Sequence, residues 1–382
     1  MFRRPGTKGA WGRLRRRVIT LGRGSIVKLF VCQSCGNVLY FENRTCGRCG
    51  HRLAFLPEKV TLSAVEASGA HWKTLADGGE GRVLCANAGL DACNWLIEPG
   101  ESSGYCHACR HNGTVPDLSE PSRLAAWREL ELAKHRLFYS LMRWKLPLKT
   151  RSEDPEHGLI FNFLADDLAA GKKVMTGHDN GLITIALTEA DGIERERRRL
   201  AMGEPYRTLL GHFRHEVGHY FWDVLVRDGG KLEACRAVFG DDSIDYDEAL
   251  RRHYAQGAPV DWQQRFVSAY ATTHPWEDFA ETWAHYLHIV DTLEMASEFG
   301  MEVRPPADQI GGLSARIAFD PYLTETFGTI VAAWLPFTFA MNSVARAMGT
   351  RDLYPFILSP QVIRKLSFVH DLVQDVARHG AR

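Results

Sequence analysis

The sequence predicts an α+β chain built from two unlike parts: an N-terminal module of tandem zinc ribbons, then a mainly helical domain with a small β-hairpin or sheet. Three observations lead there. Eight of the nine cysteines fall between residues 27 and 115, among short β-prone runs and Gly-containing turns. From Pro121 onward apolar residues recur at helical spacing, first over Leu124 to Leu141. Alternating strand-like sequence returns clearly only once, from Lys173 to Leu187, with Asn180-Gly181 as the hairpin turn.

In chain order, residues 1–26 are basic (Arg3, Arg4, Lys8, Arg13, Arg15, Arg16, Arg17, Arg23) and lack acidic residues. They read as a disordered arm suited to phosphates, or as sequence upstream of a true start near Val27. Residues 27–115 form the tandem ribbon module and 116–382 the second domain. A Pro- and charge-rich linker around Leu146 to Glu156 separates the first helix from the hairpin. A helix is expected over Tyr206 to Val226, and the rest of the chain reads as almost wholly helical, punctuated by prolines.

The 382 residues suffice for a sizeable core without covalent staples. Lys+Arg and Asp+Glu stand at 46 each, so no global field selects nucleic acid or anionic lipid as partner. The longest apolar stretch, Thr329 to Met341, contains Pro336 and falls short of the ~20 residues a bilayer span needs, so no membrane partner is expected. The N-terminus has no secretory apolar core, and a cytoplasmic location is expected. In a reducing compartment, regularly paired cysteines point to metal rather than to disulfides.

Cys32-x2-Cys35 and Cys46-x2-Cys49 are two knuckles, each followed by a glycine (Gly36, Gly50) that lets backbone amides turn toward the thiolates. That is the spacing of a tetrahedral four-thiolate zinc site. Cys85, Cys93, Cys106 and Cys109 make a second set in which only the last pair has the short spacing; His107 and His111 lie nearby as substitutes, or as solvated loop histidines. Both sites have closed ligand shells and are expected to stabilise the fold without doing chemistry. Cys235 stands alone and reads as a buried small hydrophobe.

His215-Glu216-Val217-Gly218-His219 is an HExxH motif within a helical segment. On a helix, positions i and i+4 share a face, so both imidazoles can reach one ion while Glu216 is placed as general base. A third ligand is expected downstream. In the helix opening at Pro275, Glu277, Glu281 and His285 fall on one stripe among core-type residues, where carboxylates are costly without a cation or strong donors.

These residues resemble the gluzincin metallopeptidases, and Tyr270-x6-Glu277-x-Phe279-Ala280-Glu281 is similar to the corresponding stretch of the anthrax lethal factor group. The segment between His219 and Tyr270 departs from that group. The whole chain after about Val27 more closely resembles a bacterial family of zinc-binding metallopeptidases with an N-terminal zinc ribbon. That likeness runs through Val27-Lys-Leu-Phe-x-Cys-x-x-Cys-Gly-x-x-Leu-Tyr-Phe-Glu-Asn, Cys93-Asn-Trp-Leu96 and Asp352-Leu-Tyr-Pro-Phe-Ile-Leu-Ser359. The resemblance implies a zincin-like domain in which His215, His219 and Glu277 hold a catalytic zinc. It further implies Glu216 as general base, Tyr270 as an oxyanion donor and Glu281 as the group orienting a ligand imidazole. At the level of residues alone, the alternative for Tyr270 is a packed tyrosine at a helix start.

Three zinc ions are therefore expected, one catalytic and two structural, serving hydrolysis of peptide or protein substrates, with endopeptidase action expected. The hairpin is a candidate edge on which an extended substrate could pair. The competing interpretation is an adaptor whose ribbons bind protein or nucleic acid and whose HExxH domain is structural or regulatory. Glu216 separates the two, since a closed structural site has no use for a general base.

Overall fold

A computed structural model describes residues 29–166, 173–201 and 207–379. The basic arm and Tyr206 lie outside the described residues. The ribbon module opens with β1 (Leu29–Val31) and β2 (Val38–Tyr40), an antiparallel pair joined through the first cysteine knuckle. A three-stranded antiparallel sheet follows, made of β3 (Arg52–Leu56), β4 (Thr61–Ser68) and β5 (His71–Thr74) in that order. Gly36 and Gly50 adopt φ of 72° and 76°, the left-handed backbone each knuckle turn requires.

Helix α1 (Pro121–Arg143) starts on a proline at its first turn and buries one long face against both modules. Toward the ribbons, Tyr139 meets the rings of Phe41 and Phe55 at 5.4 and 6.4 Å, and Trp95 lies 5.0 Å from His135. Toward the second domain, Tyr139 donates to Glu294 at 2.8 Å and Ser140 to Asp291 at 2.9 Å. The main hydrophobic cluster among the described residues runs from Phe30 to Val373 through this helix, and a smaller one joins Ala54, Leu56, Val65 and Leu96 in the ribbon module.

The small sheet differs in detail from the expected hairpin. Its order is β6 (Ile160–Leu164), β8 (Leu182–Ala186), β7 (Gly177–Asp179), with β6 parallel and β7 antiparallel to β8. Asn180 and Gly181 form the turn, both at positive φ. A two-residue turn fixes the register, so Asp179, His178 and Gly177 face Leu182, Ile183 and Thr184. Lys173 to Thr176 is therefore not strand: the Ala186 N–H donates to the Thr176 hydroxyl at 3.1 Å, which ends the ladder. Among the described residues β7 is an edge strand.

The remaining helices are α2 (Gly192–Ala201), α3 (Leu209–Phe221), α4 (Leu232–Phe239), α5 (Tyr246–Gln256), α6 (Pro275–Glu298), α7 (Phe327–Ala347) and α8 (Pro360–His379). Thr208 caps α3, its hydroxyl accepting from the Gly211 N–H at 3.0 Å. A π-helical turn over Trp222–Arg227 continues α3 toward the expected end at Val226. Two short strands, β9 (Glu302–Val303) and β10 (Ala315–Arg316), interrupt the expected helical run between α6 and α7.

Helix α7 corrects one expectation. It runs past both ends of the Thr329–Met341 stretch, keeps Pro336 inside, and is long and apolar enough to cross a membrane by length and composition. Ile330, Ala333, Trp334 and Phe337 are buried, while Leu335, Phe339 and Val344 are exposed. The apolar stretch is shorter than the helix because Phe327-Gly328 precede it and the mixed run from Asn342 to Ala347 continues the helix beyond it.

Helices α3 and α6 pack closely at Gly218, where a β-carbon would stand 3.0 Å from the Ala280 Cα and 3.2 Å from the Trp283 Cβ. Asp291 of α6 ties the assembly together, pairing with Arg214 of α3 and accepting from Ser140 of α1 and from Tyr322. Nearer the hairpin, Glu189 is buried and faces His212 at 2.8 Å and Arg198 at 2.7 Å. Burial alone would raise its pKa; His212, Arg207 and Arg198 outweigh that and lower it to about 2. A depressed carboxylate stabilises the fold above its unfolded pKa and loses that contribution as pH falls toward the folded value. Glu189→Gln should therefore unfold at lower urea than the parent at pH 6, by on the order of 2 kcal/mol. The difference should shrink as pH falls from about 4.5 to about 2; a pH-independent difference would contradict the assignment.

Candidate metal centres

The HExxH residues lie on α3, and the carboxylates facing them come from the first turns of α6. Pro275 occupies the first position of α6, and the His274 ring caps it by accepting from the Trp276 N–H at 3.0 Å. This start directs Glu277 and Glu281 onto the face that meets α3 across Gly218.

His215 Nε2 and His219 Nε2 are 3.2 Å apart, and Glu277 Oε2 lies 3.0 and 3.5 Å from them. Tetrahedral zinc with bonds of about 2.0–2.2 Å sets its ligand atoms about 3.3–3.5 Å apart, so the three donors are spaced as such an ion requires. The Glu277 Oε2 is buried without a hydrogen-bond donor among the described residues, an arrangement a cation relieves. The donor set therefore fits zinc.

Two of the three donors are held from behind by a hydrogen bond. His215 Nδ1–H donates to Glu281 Oε1 at 2.7 Å, which leaves Nε2 with its lone pair toward the other ligands. Glu281 in turn accepts from the Ser268 hydroxyl at 2.5 Å. Burial would raise the Glu281 pKa, but His215, with His285 and Ser268 behind it, holds it down to about 2. Tyr246, the first residue of α5, donates to Glu277 Oε1 at 2.6 Å. Trp276 covers His219 with ring centroids 3.7 Å apart.

Glu216 is buried beside this centre, and burial pushes its carboxyl up to about 7. The Tyr270 ring lies 5.9 Å from that of His215. Burial, with Glu277 and Tyr246 alongside, raises the Tyr270 phenol, so it remains a proton donor. His285, on the same stripe of α6, points elsewhere and meets the Tyr354 hydroxyl at 2.8 Å. On edge strand β7, the His178 ring lies 6.0 Å from that of His219.

The cysteines gather as two sets of four, each with its sulfurs within 4.8 Å of one another. Cys32–Cys49 and Cys35–Cys46 are both 3.6 Å apart, and Cys93–Cys106 3.7 Å, against the ~3.8 Å edge of a tetrahedral four-thiolate zinc site. Neither suggested substitute histidine joins the second set. His111 is buried rather than solvated, with Nδ1 2.8 Å from the Leu159 carbonyl, and His107 pairs with Glu98 at 3.3 Å. Cys235 is buried, and burial pushes its thiol up to about 12.

Sequence reasoning missed Tyr246, Ser268 and His135. Tyr246 starts a helix far along the chain from any motif, and Ser268 lies two residues before Tyr270 in a stretch where no spacing rule singles out a serine. His135 had one signal, a histidine on the apolar face of α1.

Comparison with known proteins agrees with this architecture. A family model described as "Putative zinc-binding metallo-peptidase" matches residues 123–372, and a zinc-ribbon domain model matches residues 29–120. The chain belongs to this zinc-binding metallopeptidase family. Uncharacterized proteins of Mycobacterium tuberculosis (strain ATCC 25618 / H37Rv) and Mycobacterium bovis are each 42% identical over 349 residues, covering 91% of this chain and 96% of theirs. No solved structure matches the chain.

The Glu281 bond to His215 yields a direct test. Glu281→Ala should weaken metal binding at the HExxH centre by about 10–100-fold while leaving both thiolate sites loaded. Chelator competition followed by metal analysis reads this; undiminished affinity would show that the bond does not orient a ligand.

Proposed function

We propose that the chain is a zinc-dependent peptidase, acting as an endopeptidase, with its chemistry at the His215–His219–Glu277 centre. The observation that carries this is the convergence of two imidazole nitrogens and one carboxylate oxygen beside a buried carboxyl, Glu216, that makes no ligand contact. A site meant only to hold the fold closes its ligand shell; three protein donors leave a position free. Membership in a zinc-binding metallopeptidase family supports the same reading.

Zinc bound there would supply Lewis acidity, polarising a substrate carbonyl and making water acidic near neutral pH. The protein supplies the rest. Glu216, with its carboxyl pushed up to about 7, is matched to take a proton from the attacking water and pass it to the departing amine. Tyr270, kept protonated, serves as hydrogen-bond donor to the oxygen that gains charge. Glu281 and Tyr246 keep His215 and Glu277 in place. Edge strand β7 offers unpaired backbone next to His219, where an extended peptide could add as a further strand.

In this account the two thiolate sites are structural, the ribbons serve a protein partner or substrate, and the protein works in the cytoplasm. Metal analysis should give about three zinc ions per chain, falling to about two in Glu277→Ala. Glu216→Gln should keep all of them and lose cleavage of an unbiased peptide library by 100-fold or more. Two zinc ions in the parent, unchanged by Glu277→Ala, would overturn the centre and favour the adaptor.

A further inference from the structure

The second thiolate site has a fifth donor that lies outside the ribbon. His135, on the buried face of α1, places Nε2 3.3 Å from Cys93 Sγ, 3.6 Å from Cys109 Sγ and 4.0 Å from Cys106 Sγ. For zinc with Zn–N of about 2.0–2.1 Å and Zn–S of about 2.3 Å, a tetrahedral nitrogen lies about 3.5–3.6 Å from each sulfur. The three observed distances bracket that value. The ring's orientation is also that of a ligand. Nδ1 is 2.6 Å from the Glu131 carbonyl oxygen, which can only accept, so the proton resides on Nδ1 and the Nε2 lone pair faces the sulfurs.

We propose that His135 is an alternative fourth ligand of the second metal site, interchangeable with Cys85, on a shared triangle of Cys93, Cys106 and Cys109. Charge favours it. All four cysteines and His135 are buried, and four thiolates around a divalent ion leave a net charge of about −2, against about −1 for three thiolates and an imidazole. Lys134, whose charge reaches Cys109 and Cys106, offsets only part of this. Lys134 is itself buried and is taken by Glu131 at 2.8 Å. A cavity of about 420 Å³, lined in part by Cys93, Asn94, Arg128 and His135, lies alongside the site.

The consequence is mechanical. His135 belongs to the helix whose next turns hold α6 through Ser140–Asp291 and Tyr139–Glu294. Metal bound through His135 would thus bolt the ribbon to the helix that positions the ligand-bearing α6. This inference does not depend on peptidase activity.

Cobalt loading of the full chain tests it, because sulfur-to-cobalt charge transfer reports thiolate-bound metal and ignores the HExxH centre. Cys85→Ser and His135→Ala should each keep cobalt at the second site, and Cys85→Ser should lose only roughly one-eighth of the charge-transfer intensity. The double variant should lose the second site and fall to roughly half, as should Cys106→Ser. In Cys85→Ser loaded with cadmium-113 and carrying nitrogen-15 histidine, direct cadmium–nitrogen coupling to His135 is expected. A Cys85→Ser protein that is unfolded, or as depleted as Cys106→Ser, would overturn the proposal, as would a double variant that still fills the site.

Discussion

Gly218 lets α3 and α6 approach until the Ala280 Cα lies 3.0 Å from where a β-carbon would stand, and the geometry of the HExxH centre depends on that approach. Histidines on one helix and carboxylates on another can meet only if the two backbones come within reach of one imidazole and one carboxylate. A side chain at this point would contact backbone, which cannot swing aside as a flexible side chain would. The glycine inside the motif is thus part of the scaffold that brings His215, His219 and Glu277 together.

A second set of constraints keeps the helices from sliding. Asp291 and Glu294 of α6 are buried, and their partners come from α1 and α3 together with Tyr322. Buried carboxylates tolerate little displacement, since losing a partner exposes the full cost of desolvation. Through α1 the same network reaches the ribbon module, whose Phe41, Phe55 and Trp95 pack on that helix. The ribbons and the helical domain therefore share a core.

Much of this was legible in the residues. The cysteine knuckles and the HExxH spacing are local patterns imposed by ligand geometry, and Pro275 marks the start of α6 for a local backbone reason. Glu277 and Glu281 stood out because carboxylates among Phe279, Ala280 and Trp283 demand partners. What stayed hidden depends on tertiary distance. Tyr246 meets Glu277 across 31 residues and His135 meets Cys93 across 42, and neither contact leaves a periodic trace. The strand from Lys173 failed because the Asn180-Gly181 turn fixes the register and the Thr176 hydroxyl ends it. The Thr329–Met341 stretch fell short of the span that α7 reaches because an apolar run is not the same as a helix.

The central claim is that one ion is held jointly by α3 and α6. Anomalous diffraction from crystals of the zinc-loaded full chain, collected above and below the zinc edge, tests it most directly. The account predicts a peak about 2.0–2.2 Å from His215 Nε2, His219 Nε2 and a Glu277 carboxylate oxygen. Zinc at the cysteine clusters with no peak between these helices, or a peak held by the histidines with Glu277 turned away, would contradict it.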